Sequence, residues 1–330
     1  MICEWLYKLV TSVLVLITTG CASTGELLPE LDHIDDRNLQ PADLSLRIPN
    51  LGPCTDNPDR TLRLNSTQPV IVLAHGCLAS AGRFRSLAQV FAFHGQQSAC
   101  FSYNDRDSLT KSAAQLVSAL DDLAGHLQNP QVTVIGHSQG GLIARNALTT
   151  ERAQPLVAEL DLRLVTISSP FAGISAADHC GSPVARVATL GLVAPICMLI
   201  SGDKWYQITA YSGFINDPGN LISQVNEFIK IVTDERDSCR LYDSQGHCIE
   251  DDYVFSIEEQ YFHAIDNSSK VIPVEIIAGH AEIVGNDSNA PEKLIAILQD
   301  KNIMRTTPIP LATALDALLG RLYQVDSYSP

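Results

Sequence analysis

Basic residues are scarce and unclustered in this chain: 22 Lys and Arg stand against 37 Asp and Glu, a formal net charge of −15. A polyanion is tracked by a surface of lysines and arginines, so nucleic acid is excluded as a partner. There is no internal repeat and no long low-complexity tract, which removes repeat architectures and disordered tails. The apolar stretch at residues 9–17 is of signal-peptide length and too short to cross a bilayer, which takes about 20 residues. The cysteines and histidines show no zinc-ligand spacing, so no metal site is expected, and no cofactor. With 45% hydrophobic and 18% charged residues, the composition is that of a globular protein rather than a disordered one.

After the apolar stretch comes Thr18-Thr19-Gly20-Cys21-Ala22-Ser23. Small residues leading into a cysteine resemble a bacterial lipoprotein signal, although Thr18 stands where a leucine is usual and Lys8 is opposed by Glu4. The resemblance implies that residues 1–20 are a signal peptide and that Cys21 is lipidated as the mature N-terminus, a lipid anchor into the membrane. Ala22 in place of Asp then implies the outer membrane; an ordinary cleaved signal would leave the protein in the periplasm. Residues 21–66, rich in Asp, Pro, Asn and Thr, are expected as an N-terminal tether or extension. Export predicts disulfides. Cys239 and Cys248 flank a turn-rich loop that a disulfide would close, and Cys180 and Cys197 bracket one irregular segment. Of Cys54, Cys77 and Cys100, at least one is left free or bonds another chain.

From residue 68 the pattern alternates. Strands are expected at 68–74, 97–103, 131–135, 162–167 and 271–277, and helices at 84–93, 112–127, 142–150 and 292–299. Short β-branched runs between longer helical periods predict a mostly parallel central sheet with helices on both faces, spanning residues 67–304. Residues 305–330 form a C-terminal helical extension. The stretch at about 174–221 breaks the alternation with apolar, small and then aromatic residues, and is expected as an inserted cap or lid.

The most informative segment is Val132-Thr133-Val134-Ile135-Gly136-His137-Ser138-Gln139-Gly140-Gly141. It is a strand, then Gly-x-Ser-x-Gly, then a helix start. A serine hydroxyl becomes a nucleophile when it is exposed on a sharp turn beside a base and spare N–H donors, and such a turn demands small residues on either side. With Leu73-Ala74-His75-Gly76-Cys77 upstream and Ser168-Ser169-Pro170-Phe171-Ala172-Gly173 downstream, the ordered motifs resemble those of α/β-hydrolases, most closely bacterial lipases and esterases. Phe171 departs from the histidine many such lipases carry there. The resemblance implies an α/β-hydrolase fold, Ser138 as nucleophile, and an oxyanion hole from the main-chain N–H groups of Cys77 and Gln139. It also implies the chain order Ser, acid, His. His280 follows the late strand and is the expected base. The acid is expected at Asp251, in a segment resembling Asp-x-x-Val-Pro with Phe255 replacing the proline; Asp252, Asp234 and Asp237 are the alternatives.

The resemblance implies cleavage of a carboxylic ester, lipase or carboxylesterase chemistry on a small-molecule ester or lipid. Acyltransferase, phospholipase and thioesterase reactions use the same groups, and a non-catalytic surface lipoprotein is the reading from another class.

Overall fold

The computed structural model describes residues 33–151, 160–178, 198, 202–243, 245–286 and 289–323. Strand β4 (Val70–Ala74) is buried at every position. Its alternate side chains serve opposite faces of the sheet, as the two-residue period of a strand requires. Val70, Val72 and Ala74 enter one core cluster, while Ile71 and Leu73 enter the other. Strands β5 (Gln97–Phe101), β6 (Gln131–His137), β7 (Asp161–Ile167), β8 (Val225–Asp234) and β11 (Val271–Ile277) join it, with the short β2 (Leu51–Gly52) at one edge. The seven-stranded order is β11-β8-β7-β6-β4-β5-β2, parallel throughout except for the β2–β5 edge pair.

Helices cover both faces. On one side lie α1 (Arg85–Phe93), α4 (Glu292–Asp300) and α5 (Ala312–Leu322), giving Phe91, Leu294, Leu298 and Leu319 to the core. On the other lie α2 (Leu109–Ala124), whose Ser108 hydroxyl caps the N–H of Lys111, and α3 (Gln139–Ala147). This is the α/β-hydrolase fold that the motifs implied.

Two departures from the sequence expectation matter. Residues 44–64, expected within a tether, are built into the fold: β1 (Leu44–Leu46) pairs with β3 (Leu62–Leu64), and Ile48, Leu51, Leu62 and Leu64 are buried. Cys54 is disulfide-bonded to Cys100 on β5, which fixes this segment to the sheet edge. Strand β8 was not anticipated, because Glu227 and Lys230 interrupt its apolar run. Both charges are paired in the fold: Glu227 with Arg163 on β7, and Lys230, which is 1% exposed, with Asp266 at 2.5 Å. The Lys230 ammonium also lies over the Tyr261 ring, 4.4 Å from its centroid. Paired charges of this kind are tolerated in a core where lone ones are not.

Beyond β8 the chain forms the hairpin β9 (Cys239–Tyr242) and β10 (Cys248–Asp251), closed by the expected Cys239–Cys248 disulfide. Among the described residues Cys77 carries the free thiol. The signal segment, Cys21 and the Cys180/Cys197 pair lie outside the described residues.

Candidate active site

Three parallel strands bring Ser138, Glu235 and His280 to their C-terminal ends, where open α/β sheets bind ligands. Ser138 follows β6 directly, Glu235 follows β8 directly, and His280 lies three residues beyond β11. The register pairs Ile277 with Asp234, so the last two ends are neighbours.

Ser138 sits at φ 55°, ψ −124°, a conformation a non-glycine residue adopts only under constraint. The crowding around it accounts for the flanking glycines. A Cβ on Gly136 would meet the Gly140 carbonyl oxygen at 2.5 Å, and one on Gly140 would meet that of Ala74 at 2.3 Å. Gln139 opens α3, in the first turn whose N–H groups have no acceptor within the helix. The His75-Gly76-Cys77 loop lies against this turn: an ideal Cβ on Gly76 would fall 3.1 Å from Ser138 Cβ. The His75 ring stacks on Tyr103, whose hydroxyl donates to the His75 carbonyl at 2.7 Å. His75 therefore shapes the loop, and burial pushes its imidazole below the ordinary range.

The structure brings His280 to a carboxylate, and that carboxylate is Glu235. His280 Nδ1 donates to Glu235 Oε1 at 2.8 Å. The Ser168 hydroxyl donates to the same oxygen at 2.5 Å and lies 2.9 Å from His280 Nδ1. Thr233 donates to Ser168 Oγ at 2.7 Å. Glu235 Oε2 accepts the N–H groups of Val254 and Phe255, at 2.7 and 2.8 Å. Burial alone would push this carboxyl up. The bond to His280, that ring's charge, the Ser168 hydroxyl and the Phe255 N–H together outweigh it and hold the group below the usual glutamate range. Ser168 reaches both partners from φ 46°, and with Leu78 at φ 55° it joins Ser138 as a third left-handed residue here.

Asp251, the expected acid, is not brought to His280. Asp251 is exposed on β10, and its side chain is not among the partners of His280. The residue beside it has a different task. Asp252 is wholly buried; its carboxylate accepts the N–H groups of Ala281 and Glu282, at 3.0 and 2.9 Å, and pairs with Arg240. Its carbonyl accepts the His280 N–H at 2.9 Å, so Asp252 frames the turn that carries the imidazole. His137 Nε2 lies 3.0 Å from the His280 carbonyl, which can only accept, so the His137 ring donates there. Burial, then the proximity of His280, holds His137 well below the ordinary histidine range. Asp234 pairs with exposed Arg236. Glu235 lies at the tip of β8, whose interrupted apolar run conceals it in the sequence; an acid at a strand tip between Ser138 and His280 is the signal that points to it.

A cavity of about 220 Å³ opens over Ser138, walled by Leu142, Pro170, Ile174, Ile208 and Phe255. Phe255 also meets the His280 ring edge-on, with centroids 4.9 Å apart. Ile174 and Ile208 lie within residues 174–221, the stretch expected to be a cap, and line one side of the cavity. An imidazole oriented through Nδ1 can take a proton at Nε2.

Comparison with known proteins agrees with this architecture. A Drosophila melanogaster protein described as a lysosomal thioesterase PPT2 homolog is 28% identical over 176 residues, 51% of this chain and 57% of that protein. The chain thus spans little more than half the length of that curated relative. The propeptide form of Bacillus licheniformis lipase BlEst2 superposes with a TM-score of 0.51 at 15% identity, over 78% of this chain and 54% of that one. Its mature form gives 0.49 at 15% identity, over 77% and 97%. Residues 69–273, more than half of the sequence, match the palmitoyl protein thioesterase family, and the chain belongs to that family.

Proposed function

We propose that this protein hydrolyses acyl thioesters, and oxyesters of the same acyl groups, through an acyl-enzyme on Ser138. The observation that carries the reading is the buried Glu235–His280 pair at 2.8 Å beside the strained Ser138 turn, in a chain of the thioesterase family. In this reading Ser138 Oγ attacks the acyl carbonyl while His280 Nε2 takes its proton. Glu235 stays ionised, orients the ring and stabilises the imidazolium. The main-chain N–H groups of Cys77 and Gln139 hold the oxyanion, each such donor contributing ~3–4 kcal/mol in the transition state. The tetrahedral intermediate collapses, the C–S or C–O bond breaks, and the leaving group departs with the proton from His280. Water, deprotonated by His280, then attacks the acyl-serine; Ser138 leaves and recovers its proton. The cavity's apolar wall suits the hydrocarbon of an acyl chain, and the insertion at 174–221 serves as its cap.

A fluorophosphonate probe tests the nucleophile. Wild-type protein labels and Ser138→Ala does not; equal labelling of the variant sinks the assignment. Matched thio- and oxyesters of one acyl chain then rank the two bonds, and Ser138-dependent turnover of the oxyester alone would return the reading to carboxylesterase. The proposal includes export, supported by the Cys54–Cys100 and Cys239–Cys248 disulfides. Its finer part, a lipid anchor on Cys21, is tested by detergent partitioning of wild type against Cys21→Ala.

A further inference from the structure

Among the described residues at 174–221, Lys204 reaches into the surroundings of the nucleophile. Lys204, 3% exposed, comes from its short 3-10 turn at Gly202–Lys204. Its Nζ lies 2.6 Å from Gln139 Oε1, 2.5 Å from the Asp105 carbonyl oxygen and 3.0 Å from Cys77 Sγ. An ammonium has three protons, and here each has a partner on a different segment. Gln139 starts the nucleophile helix, Asp105 lies on the loop between β5 and α2, and Cys77 lies on the loop after β4. Asp105 works from the other side. Its Oδ2 accepts the N–H of Leu78 at 2.7 Å and lies 3.9 Å from Lys204 Nζ, so the ion pair brackets the peptide that follows Cys77. Gln139 Nε2 donates to the same Asp105 carbonyl at 3.0 Å, closing the ring of contacts.

Burying an ammonium is costly, and an apolar side chain would pack the insertion here without that cost. What the lysine adds is a link between the two residues whose N–H groups are assigned to the oxyanion. We propose that Lys204 is a positioning residue for the oxyanion hole, setting the spacing of the Cys77 and Gln139 donors so that the insertion and the hole are assembled together. The inference rests on the Ser138 reading above. Donor placement matters steeply, since a displacement of about 1 Å at a reacting centre costs roughly 100-fold in rate.

The test is kinetic, on the full chain. Lys204→Met is expected to lower kcat about 10- to 100-fold while KM changes less than about 3-fold. A trifluoromethyl ketone with the substrate's acyl chain, whose hemiketal oxygen occupies the hole, should lose affinity by the same factor as kcat/KM. A lysine that merely packed the insertion would not move these two together. Gln139→Met keeps the main-chain N–H but removes the Lys204 acceptor; it should lower kcat too, and the double variant should be no slower than the slower single. Unchanged kcat in Lys204→Met, a change in KM alone, or additive losses would overturn the proposal. If Lys204→Met does not fold, Gln139→Met decides: full kcat refutes the link. Probe labelling separates the two readings. Labelling that survives Ser138→Ala removes the nucleophile assignment, whereas Ser138-dependent labelling with full kcat in Lys204→Met removes only this one.

Discussion

The two halves of the site are held by different forces. Around Ser138 the geometry is enforced by backbone crowding: glycines stand where any Cβ would strike a carbonyl oxygen at 2.3–2.5 Å. Around His280 it is enforced by hydrogen bonds, with Glu235 accepting from an imidazole, a hydroxyl and two N–H groups. The first half tolerates no added atom and the second no lost donor. Each can therefore be broken by a substitution the other would survive.

The largest effect belongs to the acid. Glu235→Gln keeps the shape but reverses one partner of His280, and kcat should fall about 10⁴-fold, as when a buried triad carboxylate is replaced by its amide. Asp251→Asn, on the exposed hairpin, should stay within about 2-fold. Steady-state rates of the two variants side by side check the assignment, and a reversed ranking would restore Asp251. Next is the crowded half: Gly140→Ala should cost about 3 kcal/mol or more of stability, because the clash is with main-chain oxygens that cannot swing away. Denaturant unfolding measures it, and a variant as stable as wild type would mean that the turn is not tight. Smaller again is Ser168→Ala, which removes one donor to the Glu235 oxygen that His280 uses. A hydrogen bond to a charged group contributes about 1.5–3 kcal/mol, so a kcat loss of about 10-fold or more is expected with KM unchanged.

Acid sensitivity should be strongest in the hydrogen-bonded half, although buried His75 beside the serine turn adds to the loss below about 6.5. Glu235 is held below its ordinary value, so the unfolded chain binds more protons in the window between its folded and ordinary values. Its stabilisation is complete above that window and fades as the pH falls through it. His137, depressed by burial, acts in the same direction from higher pH, beginning below about 6.5. Melting temperatures across pH should therefore decline in two stages, with Glu235→Gln flattening the lower one; a profile identical to wild type would contradict the buried, bonded carboxylate.

The site was unevenly legible. Ser138, Gly136 and Gly140 lie within five residues, and their turn obeys a local steric rule, so the motif announces itself. His280 was readable from its place after a strongly apolar strand. Glu235 was not, because the strand carrying it contains Glu227 and Lys230, whose partners Arg163 and Asp266 lie far off in sequence. The burial of Ile48, Leu51, Leu62 and Leu64 and the Cys54–Cys100 bond were hidden for the same reason: composition marks a polar, proline-bearing stretch without showing which edge strand it will meet.

Local patterning was enough to specify the alternating strands and helices, the serine turn and the Cys239–Cys248 loop, since each depends on residues near one another in sequence, while the α/β-hydrolase fold followed from the resemblance of the ordered motifs. The Glu235–His280 contact, the framing of His280 by Asp252 and the reach of Lys204 to Gln139 and Cys77 came from packing. Those contacts join segments 29 to 127 residues apart, and a hydrogen bond across such a distance exists only once the sheet has brought its strand ends together.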